Sequence, residues 1–105
     1  MSIIDEYFSA SAAHDTESVV AAFTMDATVT DEGVTHTGPD EIRAWRDATS
    51  SQFHYTTTVL EIHEPAPAVH VVTASVAGDF PGSPVNLEYR FVLRDGLIAD
   101  LTIAP

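Results

Sequence analysis

The chain has no cysteine, which excludes a disulfide framework and a thiolate metal site. It has no lysine either. Four arginines face 16 acidic residues, and the formal net charge is −12 at pH 7. Such a balance argues against the phosphate backbone of DNA or RNA as a partner, because repulsion has to be overcome before any contact forms. It argues in the same way against an anionic membrane surface, and it favours solubility and a neutral or cationic small ligand. Long apolar runs are also missing, so no segment is suited to span a bilayer. The N-terminal MSIIDEYF carries two early acids and no basic region, unlike a secretory signal. The chain is therefore read as cytoplasmic, although a lack of cysteine alone is equally compatible with export. There is no Gly-x-Ser-x-Gly elbow and no glycine-rich phosphate loop, so neither a seryl nucleophile nor a nucleotide cofactor is indicated.

What is present is enough for one ordinary core. A chain of 105 residues with 45% hydrophobic content is read as a single domain, residues 1–105. Ser2 to Ala13 reads as a helix with Ser2 as N-cap, Asp5 and Glu6 in its first turn, and Ile4, Tyr7 and Phe8 on an apolar stripe. Asp15 caps a second helix expected over Thr16 to Phe23, with His14 closing the first. Ala27–Thr30 and Val34–Thr37 read as a short hairpin turned by Glu32-Gly33. Thr37-Gly38-Pro39 opens a third helix, with Ile42 and Trp45 inward and Arg43, Arg46 and Asp47 pointing away.

From Phe53 the hydrophobic period changes from helical to about two. Phe53–Ile62, Val69–Ala77, Leu87–Leu93 and Leu97–Ile103 read as four strands of an antiparallel meander. Two prolines mark Glu64–Pro67 as a turn. Phe80 centres the loop Gly78–Pro84, and Asp95-Gly96 turns the last hairpin. Leu87, Tyr89, Phe91 and Leu93 share one face, as do Leu97, Ala99, Leu101 and Ile103. The expected fold class is α+β: three N-terminal helices packed on a strongly curved, mixed or antiparallel sheet. Helices across a concave sheet leave a cone-shaped cavity, a natural small-molecule site.

This element order resembles the nuclear-transport-factor-2-like superfamily, with its cystatin-like α+β barrel. Within it the chain looks most like the SnoaL-like polyketide cyclases and the ketosteroid isomerases. The resemblance covers nearly the whole chain and rests on YFSASAAHD (Tyr7–Asp15), FTMDATVTD (Phe23–Asp31), GPDEI from Gly38, and the closing FVLRDGLIADLTI. It implies that Asp31 stands where the isomerases carry the carboxylate that moves a proton beside a carbonyl. It implies that Tyr7 stands where they carry the tyrosine donating to the enolate oxygen. The chain departs at the second donor, where Tyr89 is found, or Glu88 if the register slips by one. The cyclases rely on an acid and a histidine, roles open here to His36 or His54. A homodimer through the outer face of the sheet is likewise implied, with Thr56, Thr58, Val72 and Val76 as its candidates.

The site expected from these residues pairs catalytic Asp31 and Tyr7 with a substrate-binding set of Phe8, Phe23, His36, Trp45, Tyr55, Phe80, Tyr89 and Phe91. Each has a plainer reading. Asp31 is also a good turn residue, and an aromatic on an apolar stripe is more often core. The five histidines show no HxH or HxxxH spacing, so no metal is expected. Two functions remain open. One is a cofactor-independent isomerase or cyclase working on a small apolar carbonyl compound. The other is a non-catalytic ligand-binding or dimerisation module of the same fold.

Overall fold

The structure is a computed structural model that describes residues 2–52 and 55–105. Its element order is α1 (Ile3–Ala12), α2 (Thr16–Ala21), β1 (Phe23–Asp31), β2 (Val34–Thr37), α3 (Gly38–Gln52), β3 (Tyr55–Ala66), β4 (Val69–Gly78), β5 (Val85–Arg94) and β6 (Leu97–Ala104). Local chemistry sets the helix starts. The Ser2 hydroxyl accepts from the Asp5 amide at 3.1 Å while the Asp5 carboxylate accepts from the Ser2 amide at 3.3 Å, a reciprocal capping box. Asp15 caps α2 by accepting from the Ser18 amide at 3.2 Å.

The six strands form one sheet in the order β2-β1-β6-β5-β4-β3. Neighbours are antiparallel except β1 and β6, which run parallel. The result is the α+β layering expected, with a mixed and open sheet. Both tight hairpins place two successive residues at positive φ, Glu32-Gly33 at 53° and 76° and Asp95-Gly96 at 54° and 79°. That geometry matches the twist of the strands it joins. One core holds the layers together: Val19 of α2 and Ile42 of α3 are fully buried against Val29, Phe91, Ile98 and Leu101 of the sheet.

The differences from the expected elements have physical causes. Phe23 opens β1 instead of ending α2, because its ladder position opposite Ile98 holds it in the sheet. Between Phe23 and Thr28 the register shifts; Met25 is pushed out to 79% exposure, and Asp26 pairs with Arg94. The segment Glu64-Pro65-Ala66 belongs to β3 and is not a turn. β3 is an edge strand whose register shifts between His63 and Ala66, and an edge bulge is where proline is tolerated. In β6 a shift opposite Val92 and Leu93 turns Ile98 into the core and leaves Leu97 and Ala99 half-buried. Val72 and Val76, expected on the outer face, point inward and are buried, whereas Thr56 and Thr58 are exposed. The expected strand start at Phe53, and His54, lie outside the described residues.

Arg46 is the largest correction. Expected to point away from the core with Arg43 and Asp47, it is 3% exposed. Arg43 does reach outward, bonding Glu17 of α2 at 2.8 Å and Asp40 at 3.0 Å. Asp47 is exposed and accepts from the Thr16 hydroxyl at 2.7 Å.

Because Phe91 is fully buried where α1 meets the sheet, Phe91→Ala is expected to lower unfolding stability by about 3–5 kcal/mol. Leu60→Ala, on the exposed edge strand, is expected to stay within about 0.5 kcal/mol. Denaturant titration of both variants checks the contrast.

Candidate functional site

Helices and sheet together line a cavity of about 710 Å³, within the range of small-molecule sites. Its wall comes from every layer. α1 supplies Tyr7, Phe8 and Ser11; α3 supplies Trp45 and Arg46. The end of β1 and its turn supply Asp31, Glu32 and Gly33. Tyr55 and Thr57 come from the start of β3, Val76 from β4, Leu87 and Tyr89 from β5, and Ile103 from β6. Phe80 and Pro81 of the β4–β5 loop complete the lining. All three tyrosines of the chain and its single tryptophan are on this wall.

Asp31 is half-buried as the last residue of β1. Its Oδ2 accepts a hydrogen bond from the Trp45 indole Nε1 at 3.1 Å. This bond joins the β1–β2 hairpin to α3 and fixes the direction of the carboxylate. An ordinary turn aspartate would bond its own backbone instead.

Tyr7 is 2% exposed and Tyr89 is 7% exposed. Phe8 lies between them, its ring centroid 5.2 Å from each. Burial pushes the Tyr7 phenol well above the usual tyrosine range; the fields of Tyr89, Tyr55 and Asp31 push the same way, and that of Arg46 opposes them. Tyr89 is raised for the same leading reason, with Tyr55 and Asp31 adding and Arg46 opposing. The two phenols, Tyr55, one carboxylate and one guanidinium thus act on each other around a single space. Both phenols stay neutral, and so remain donors, throughout the physiological range.

Of the residues expected at the site, the structure brings Asp31, Tyr7, Phe8, Trp45, Tyr55, Phe80 and Tyr89 to the cavity wall. It does not bring Phe23, Phe91 or His36 there. Phe23 and Phe91 are core residues that support Tyr7 from behind, with ring centroids 6.0 and 5.5 Å away. His36 is half-buried on β2 with its ring 6.2 Å from that of Trp45. Strand alternation decides between the two alternative donors: Tyr89 faces the cavity and Glu88 is exposed on the opposite face.

Arg46 was missed. The sequence signal for it was available only as spacing, since a residue next to an inward tryptophan on a helix sits at the margin of the buried stripe. Among the described residues no group of histidine and acidic side chains is arranged to hold a metal ion. No helix among them is long and apolar enough to cross a membrane.

The buried phenols carry a stability consequence. Above about pH 10 an unfolded tyrosine loses its proton, while Tyr7 and Tyr89 in the fold keep theirs because burial raises both. The unfolded state then binds fewer protons, so stability falls as pH rises past that point. Tyrosinate absorbance from these two residues is expected to appear together with loss of structure in an alkaline titration followed by circular dichroism. Tyr7→Phe should reduce the alkaline loss.

Comparison with known proteins agrees with this architecture. The family model for the SnoaL-like domain matches residues 4–101. A candidate polyketide cyclase from Sinorhizobium meliloti (protein SMa1630) is 39% identical, with 97% of this chain and 93% of that chain covered and a TM-score of 0.93. A hypothetical protein from Catenulispora acidiphila, of ketosteroid isomerase-like fold and solved in complex with trimethylamine, is 19% identical over 98% of this chain and 84% of that chain, with a TM-score of 0.86. The epoxide hydrolase/cyclase-like enzyme SalBIII, with a role in pyran ring formation in the polyether salinomycin, is 18% identical over 96% and 85%, with a TM-score of 0.84. The last two likenesses concern the fold alone. No curated protein sequence matches the chain. The chain therefore belongs to the SnoaL-like domain family, on the nuclear-transport-factor-2-like fold that it shares with polyketide cyclase and ketosteroid isomerase-like proteins.

Proposed function

We propose that this protein is a cofactor-independent isomerase or cyclase that moves a proton on a small, largely apolar carbonyl compound. The observation that carries the reading is the position of Asp31: a carboxylate on the wall of a mostly apolar cavity, aimed by the Trp45 indole. In the reaction Asp31 takes a proton from the carbon beside the carbonyl. The C–H electron pair becomes a C=C bond, and the carbonyl oxygen becomes an enolate. Tyr7 and Tyr89 donate hydrogen bonds to that oxygen; such donors matter most where charge develops out of water. Protonated Asp31 then returns the proton at another carbon; in the cyclase case the enolate carbon attacks a second carbonyl, its C=O π bond opens to an alkoxide as the ring closes, and the alkoxide takes the proton from Asp31. Trp45 positions the base, and Phe8, Tyr55 and Phe80 hold the apolar body of the substrate.

The similarity to a candidate polyketide cyclase at 39% identity supports the cyclase side of this reading. The alternative of a non-catalytic module would suit a cavity filled by the protein's own side chains, and this one is open. A homodimer through the outer face of the sheet is part of the same proposal, with Thr56 and Thr58 on that face; sedimentation equilibrium checks it.

Asp31→Asn keeps an acceptor for the Trp45 bond and removes the base. With a substrate found by screening small ketones and β-dicarbonyl compounds, kcat is expected to fall by about 10²–10⁴ while the fold is kept. Tyr7→Phe is expected to lower kcat with little change in KM. Turnover by Asp31→Asn at the wild-type rate would remove Asp31 from the mechanism.

A further inference from the structure

The cavity contains a cation that the proton-transfer scheme does not use. Each of the other three arginines is accounted for: Arg43 pairs with Glu17 and Asp40, Arg94 pairs with Asp26, and Arg90 is exposed. Arg46 is 3% exposed, and among the described residues no carboxylate is in ion-pair contact with it. Its guanidinium lies between two cavity-wall residues. One terminal nitrogen donates to the Ser11 carbonyl oxygen at 3.3 Å, and Cζ stands 5.9 Å from the centre of the Tyr55 ring. Its Nε–H is buried with no acceptor among the described residues.

A guanidinium cannot shed its charge by losing a proton. Burying it without a counter-charge is therefore expensive, and an orphaned N–H adds to that cost. A fixed cation with an unspent donor, on a wall whose half-buried carboxylate, Asp31, is already engaged by Trp45, is a preformed seat for an anionic oxygen. The fields of Arg46 at Tyr7 and Tyr89 place that seat near the same space as the two donors.

We infer that Arg46 is a specificity-determining residue that selects ligands carrying one anionic oxygen group, such as a carboxylate, on a small apolar body. The anionic group pairs with the Arg46 guanidinium from the cavity side, and the apolar body lies along Tyr55, Phe8 and Leu87. The inference deepens the proton-transfer reading by naming its substrate class: a keto acid or an acidic dicarbonyl compound, anchored by its charge on Arg46. It also departs, locally, from what the net charge of −12 suggests about ligands, because a charge at contact distance outweighs distant, screened ones; Asp31 on the same wall is the charge it works against.

The test is equilibrium binding of three matched probes, 2-naphthoate, 2-naphthamide and 2-naphthylmethylammonium, followed by Trp45 fluorescence or calorimetry. The wild-type protein is expected to bind the naphthoate about tenfold tighter than the amide, the scale of one charge-assisted hydrogen bond, and the ammonium weakest. In Arg46→Gln the preference for naphthoate over amide should vanish, and in Arg46→Lys part of it should return. Equal binding of naphthoate and amide by the wild-type protein, or tighter binding of the ammonium, overturns the inference. So does a folded Arg46→Gln variant that keeps the preference. Should Arg46→Gln not fold, the wild-type comparison still decides. Binding needs no turnover, and naphthoate preference is expected to persist in Asp31→Asn, so the charge anchor and the catalytic base stand or fall separately.

Discussion

The hydrogen bond from the Trp45 indole to the Asp31 carboxylate, 3.1 Å long, is the contact on which the rest of the site depends. It crosses from α3 to the end of β1, elements that meet only because the β1–β2 hairpin turns the chain straight into α3. The indole has one donor and no acceptor, so it engages a single carboxylate oxygen and orients the group on the cavity wall. Behind this pair, Ile42 and Val29 are fully buried and hold the helix against the strand. The position of Asp31 is therefore set by packing in the core, and side chains locked by packing are the ones that hold chemical geometry closely.

A second constraint is the sheet itself. The meander β3–β6 and the parallel docking of β1 on β6 make one six-stranded sheet, and the helices line a cavity against it. Register shifts in β1, in β3 and opposite Leu93 bend the strands, and bulges are the usual means of curving a sheet. The space left under that bend is lined by side chains from all parts of the chain. This explains why it can gather three tyrosines, one tryptophan and one arginine from residues as distant in sequence as Tyr7 and Tyr89.

Much of this was readable from residue pattern. Ser2, Asp15, Glu32-Gly33 and Asp95-Gly96 announced their caps and turns, because those depend on local backbone chemistry alone. Alternation in β5 placed Tyr89 inward. What was not legible depends on register. A bulge is invisible in composition, so strand pattern alone starts β1 at Ala27 and sets Ile98 on the face opposite Leu97 and Leu101, whereas β1 starts at Phe23 and Ile98 is buried in the core. Val72 and Val76 were assigned outward for the same reason, since a one-residue slip exchanges the two faces. Pro65 read as a turn because an edge strand looks the same as a loop until its neighbour is known. Arg46 escaped because charge is the ordinary mark of a surface position. A buried guanidinium breaks that rule, and residues that break local rules are where functional sites are expected.

The single tryptophan makes the central claim directly measurable. In a ¹⁵N-correlated NMR spectrum the Trp45 indole N–H gives one resonance, and the account says that its partner is Asp31. Asp31→Asn should shift this resonance at neutral pH, while leaving the amide spectrum of the core intact. An indole resonance that is unchanged by Asp31→Asn, or that exchanges with water as freely as an exposed tryptophan, would contradict the site described.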